Sequence, residues 1–201
     1  MSFMKFVIRC VPILFLTALV TMLGHHLGER IPSDWWYLPA IIALVLFATL
    51  QIFKQVTPLN FVLLLMLALS AGALLNSFDL ESGNWFPWVV LSMGLVIPLV
   101  WGYGLGIRLG WVGALFFPFT IVYLLGWVIL YFIPELEAWT LAWALIGLFV
   151  FIGLVTHIVT EARYSNVEEK QVPLASDLFI LHFNLFWIGA VIEGIIKTNF
   201  H

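Results

Sequence analysis

The sequence predicts an all-α membrane protein of seven transmembrane helices, with a polar seventh helix central in the bundle. Three observations carry that expectation. Of the 201 residues, 63% are hydrophobic and only 9% charged, whereas soluble domains run near ~25% charged. The mean hydropathy is +1.10 over the whole chain, which leaves no room for a large soluble domain. Seven apolar segments recur between short polar breaks, each near the ~20 residues that cross ~30 Å of hydrocarbon. Residues 1–201 therefore read as a single polytopic membrane domain.

The first segment, 7–24, follows Lys5 and Arg9. A basic flank before an apolar run also suits a signal peptide. Gly24-His25-His26-Leu27-Gly28 is a poor cleavage site, so a first spanning helix is expected. Arg30-Ile31-Pro32-Ser33-Asp34 separates it from 37–53, and Lys54-Gln55-Val56-Thr57-Pro58 separates that from 59–76. Asp79 to Asn84 precedes 86–105, and Gly106-Ile107-Arg108-Leu109-Gly110 is a minimal turn before 111–132. Pro134-Glu135-Leu136-Glu137 leads into 139–160. The longest break, Glu161 to Pro173, precedes 175–197.

Loop charge sets the expected orientation. With seven crossings, Lys5, Arg9, Lys54, Arg108, Arg163 and Lys170 share one side, and only Arg30 and Lys197 lie opposite. Glu29, Asp34, Asp79, Glu81, Glu135 and Glu137 fall on the cation-poor side. The N-terminus is thus expected in the cytoplasm. A bacterial inner membrane suits so compact a chain without a transit-like segment; an organelle membrane is the alternative. Trp35, Trp36, Tyr37, Trp85, Trp88, Trp139 and Trp143 sit at segment ends on the outer side, where aromatic rings anchor at headgroup level.

The glycines at 102, 106 and 110 repeat at spacing four, a pattern that lets helices approach closely. Gly102-Tyr103-Gly104-Leu105-Gly106 follows an apolar helix rather than a strand, so it is no nucleotide loop. Cys10 is the only cysteine, which excludes an intrachain disulfide and any multi-cysteine metal site. The net charge of −3 gives no reason to expect a nucleic-acid partner. The expected partners are the bilayer and other membrane proteins.

The last segment carries Asp177, His182, Asn184 and Glu193; an ionisable group at a membrane centre costs ~2.5–3.5 kcal/mol when charged, and three of the four are ionisable. Asn184 is nearly aligned with Asp177, while His182, Gly189 and Glu193 lie ~140°, ~120° and ~160° away. Two polar stripes result, and neither suits lipid. Asp177 also follows Ser176 near a helix start, where an acid is favoured by the macrodipole. Glu193 and Lys197 form an acid-then-base i,i+4 pair. Asn184 suits a hydrogen bond between helices. His157, near the end of the sixth segment, and His182 reach similar depth and could ligate haem or a metal. Independent hydrogen-bonded histidines are the blander alternative. His25 and His26 are adjacent and point apart. No set of nucleophile, base and third group shares one depth, so no enzyme is expected.

Several runs resemble the Bax-inhibitor (transmembrane Bax inhibitor motif) family. They are Leu174-Ala175-Ser176-Asp177-Leu178-Phe179-Ile180-Leu181-His182-Phe183-Asn184-Leu185-Phe186 in the last segment, Ala144 to Phe151 in the sixth, and Leu23 to Gly28 in the first. The order and lengths of the segments are similar over nearly the whole chain. The resemblance implies seven spans and, from some members, a pH-sensitive calcium leak through a pair of acids. By register those acids fall on His157 and Leu181, and an acid of the fourth helix falls near Ser92. None is an acid here, and hard cations prefer oxygen ligands. Asp177 lies one turn before Leu181, ~6 Å along the axis. A pH-responsive contact between His157 and Asp177 is therefore the expected site, with His182 and Asn184 beside it and Glu193 and Lys54 secondary. An accessory subunit of a larger membrane complex, or a haem carrier using His157 and His182, are the alternatives.

Overall fold

The computed structural model describes residues 3–35, 37–76, 86–105, 110–133, 138–164 and 171–200. Among these, the regular structure is helical. The helices are α1 (Phe3–Gly28), α2 (Tyr37–Ile52), α3 (Leu59–Asn76), α4 (Phe86–Leu99), α5 (Gly110–Phe132), α6 (Thr140–Tyr164) and α7 (Gln171–Phe200). A 3-10 turn at Ser33–Trp35 precedes α2, and a π-helical turn at Val100–Leu105 ends α4. The loops expected at 79–84, 106–109, 134–137 and 165–170, with Trp36 and Trp85, lie outside the described residues.

Five of the described helical segments are long and apolar enough to cross a membrane: Met4–Gly28, Leu59–Asn76, Phe86–Leu105, Thr140–Tyr164 and Gln171–Thr198. Tyr37–Ile52 and Pro118–Trp127 are apolar but shorter. The chain is a multi-pass membrane protein on that basis. Its surface agrees: Phe15, Met22, Phe132 and Phe149 all stand exposed. Large side chains on an outer face suit lipid, which makes no demand that apolar groups hide.

Several helices outrun their apolar stretches. α7 starts at Gln171, four residues before its apolar segment, with Pro173 in its first turn. Proline is tolerated there because its missing N–H has no intrahelical acceptor anyway. α6 runs on to Tyr164 and carries Glu161 and Arg163 beyond the apolar run. The expected 86–105 helix changes register at Val100, two residues after Pro98.

Contacts cluster into two units. One holds α1, α2, α3 and the start of α7 to Phe179. In it α3 packs on both α1 and α2, and Phe6, Cys10, Leu50, Leu64, Leu67 and Ala68 are buried. The α1–α3 seam is made of backbone. A Cβ on Gly24 would strike the Leu69 carbonyl, and one on Gly72 would strike the Thr21 carbonyl. These two glycines permit an approach that no other residue could.

The second unit holds α4, α5, α6 and α7 from Ile180. Here α6 packs on α4, on the π turn and on α5. Its α5–α6 seam is aromatic. Tyr123 stacks on Trp143 at 5.9 Å between centroids and 11° between planes. Trp127 and Phe151 meet Tyr123 edge-on. Ring quadrupoles favour both offset-stacked and edge-on arrangements. The Trp143 indole N–H donates to the Tyr123 carbonyl at 3.0 Å. Gly126 leaves room for Trp143, and Gly147 for the Tyr123 ring.

Candidate functional site

Among the described residues, several threonines bond along their own helices. The hydroxyls of Thr17, Thr21, Thr49, Thr120, Thr156 and Thr160 each donate to a carbonyl one turn back on their own helix. Such back-bonding hides a hydroxyl from lipid at small cost. Ser92, where the family register places an acid, does the same to Trp88 at 2.8 Å on an exposed face. Asn184 donates from Nδ2 to the Ile180 carbonyl at 2.8 Å. That bond lies within α7 and uses one of the two amide N–H donors.

Asp177 is different. It sits in the second turn of α7, half-buried, and its Oδ1 accepts from Lys54 Nζ at 2.5 Å. The two side chains are 30% and 24% exposed. Lys54 follows the end of α2 and is held in its turn by Asn60. Asn60 is buried at the start of α3, and its Nδ2 donates to the Lys54 carbonyl at 2.9 Å. The Asn60 backbone N–H also donates to the Val56 carbonyl at 2.8 Å. The α2–α3 turn is thus clasped around Lys54, and the ammonium is delivered to the α7 carboxylate. Asn60 Oδ1 is buried and makes no hydrogen bond in this structure. The sequence signals both Lys54 and Asp177, yet nothing in it pairs residues 123 positions apart. Asn60 gave no signal beyond being a polar residue in an apolar run.

The other candidates are distributed. His157 lies on α6 with its imidazole laid over Gly113 of α5. His182 is half-buried on α7. Among the described residues, no group of three His, Cys, Asp or Glu side chains is placed to hold a metal ion. His26 Nδ1 lies 3.2 Å from Glu29 Oε2 at an exposed helix end.

Glu193 forms the expected i,i+4 pair, with Oε1 3.4 Å from Lys197 Nζ. It does more than that pair. Its carboxylate is buried, and Oε2 accepts from the Phe86 backbone N–H at 3.1 Å, at the first residue of α4. A negative charge at a helix N-terminus satisfies an orphan donor and meets the positive end of the macrodipole. Glu193 therefore serves the architecture of its unit. The two acids of α7 stand sixteen residues apart in the chain, one near each end of the apolar run.

No family model matches the chain, and no curated protein matches it.

Proposed function

We propose that this chain is a Bax-inhibitor-like membrane protein of seven crossings, with its N-terminus in the cytoplasm of a bacterial inner membrane. Its activity is a pH-sensitive cation leak, with calcium the first ion to test. The observation that carries this reading is the Lys54–Asp177 ion pair, 2.5 Å long and less than one-third exposed. A half-buried carboxylate on an apolar helix is costly unless paired. Here the partner comes from a loop on the cation-rich side, which is the side the positive-inside rule assigns to the cytoplasm.

The pair works as a proton-operated latch. While Asp177 is charged, Lys54 lies against it and places a cation where a permeating cation would pass. Protonation of Asp177 removes the attraction and lets Lys54 swing to water on its flexible stem. With the ammonium withdrawn and the acid neutral, the positive charge that repels a permeating cation is gone from the path. The leak therefore rises as pH falls.

The test is ion flux in proteoliposomes carrying a trapped calcium indicator. Wild-type protein is expected to leak more as the cytoplasmic-side pH is lowered. Asp177→Asn, which mimics the protonated acid, is expected to leak at high pH and to lose most of the pH dependence. A leak no greater than that of protein-free liposomes, or an Asp177→Asn profile that follows wild type, overturns the reading.

A further inference from the structure

α4 carries a proline and a glycine in its own hydrogen-bonded ladder. Pro98 has no N–H to give to the Gly94 carbonyl, and its ring crowds that carbonyl. Gly94 itself has little helix propensity and is a buried position closed over by the tip of Leu185. Two residues beyond Pro98 the chain enters the π turn Val100–Leu105. Extended π geometry is rare and does not persist without support.

That support comes from outside α4, at both of its ends. At the N-terminal end the Glu193 carboxylate accepts from the Phe86 N–H. At the C-terminal end Arg163 of α6 donates from Nη1 to the Gly102 carbonyl at 2.8 Å and to the Tyr103 carbonyl at 3.2 Å. Gly102 is buried and lies on Val159 and Thr160, one turn before Arg163. The close approach at Gly102 is what brings its carbonyl within reach of the guanidinium. The signs of the two charges match the helix. The anion sits at the positive end of the macrodipole and the cation at the negative end. Charged hydrogen bonds are the stronger kind, more so away from water.

We propose that α4 is a hinged helix strapped at both poles: Glu193 holds its N-terminal end, Arg163 holds its π turn, and the Gly94–Pro98 break lets each pole loosen separately when its own strap is released. The break removes the hydrogen bond through which one half would report to the other. α6 and α7 thereby control two ends of one helix independently. This device does not depend on any ion being conducted.

Amide hydrogen exchange on the full chain in lipid nanodiscs tests it. Arg163→Met is expected to speed exchange of residues 100–105 about tenfold or more, the loss of two charged hydrogen bonds, while 88–93 exchange at the wild-type rate. Glu193→Gln is expected to give the reverse pattern. In a Pro98→Ala background, which restores the missing donor, the effect of Arg163→Met is expected to spread into 88–93. If either single variant speeds both segments equally, α4 moves as one rod and the hinge is refuted. If neither segment responds, the straps hold nothing. Should Arg163→Met loosen the whole chain, Arg163→Lys decides, because it keeps the cation and shortens its reach to the two carbonyls. A rise confined to 100–105 supports the strap; an unchanged or global response overturns it.

Discussion

The two units use the same residue for opposite purposes. In the unit of α1, α2 and α3, glycine brings backbone against backbone: Gly24 faces the Leu69 carbonyl, and Gly72 faces the Thr21 carbonyl. At the α5–α6 seam of the other unit, glycine makes room for rings: Gly126 for Trp143, Gly147 for Tyr123 and Gly113 for His157. Without a hydrophobic drive in lipid, helices associate by close packing and hydrogen bonds. The α1–α3 seam closes the gap between helices, and the α5–α6 seam fills it. A backbone seam tolerates almost no added volume. A ring has rotamers into which it can retreat, though at a cost in stacking.

The largest expected effect is at the backbone seam. Gly24→Ala places a methyl group against a carbonyl that can move only with its whole helix. It is expected to cost about 3 kcal/mol, the upper end of ordinary overpacking, read as a fall in thermal midpoint in detergent micelles. Gly147→Ala crowds Tyr123 instead. Its expected cost is about 1–2 kcal/mol, with a change in near-ultraviolet circular dichroism as Tyr123 and Trp143 unstack. Equal costs at the two positions would break the distinction between the seams. Gly194→Ala is the smallest of the three. Nothing lies within 4 Å of a Cβ there, so helix propensity alone acts. A stabilisation of at most about 1 kcal/mol is expected, and a clear loss of stability would mean that Gly194 faces something the close-contact picture omits.

The units differ as well in how their acids are used. Asp177 meets the side chain of Lys54, a flexible partner, whereas Glu193 meets both the fixed Phe86 N–H and the Lys197 ammonium. Reading α7 alone placed both acids on polar stripes and could not separate these roles. Their environments separate them, because the partner's freedom to leave is a property of another segment.

Much of the helical layout was legible beforehand. The ends of α2, α3 and α5 fall within a residue of the apolar segments, since Pro32, Pro58 and the turn residues interrupt the runs abruptly. The ends of α1, α6 and α7 were less legible because polar residues such as Glu161 and Arg163 continue a helix at headgroup level without harm. Gly24 and Gly28 carry the small-residue spacing as plainly as Gly102 and Gly106, but spacing alone does not say which helix comes close. The Glu193–Lys197 pair was readable as an i,i+4 spacing. The Phe86 N–H that shares Glu193 was not, because a backbone donor leaves no mark in the sequence. Arg163 read only as one loop cation among six.

By itself the sequence determined that this chain lives among lipids, where its helices run, and which few charged groups its apolar helices must accommodate. Those follow from local composition and periodicity, which each segment carries regardless of its neighbours. Only the tertiary structure decided what each charge does: Asp177 against Lys54, Glu193 against the start of α4, and Arg163 against its π turn. These pairings join residues far apart in the chain, and their identity depends on which helix faces reach van der Waals contact.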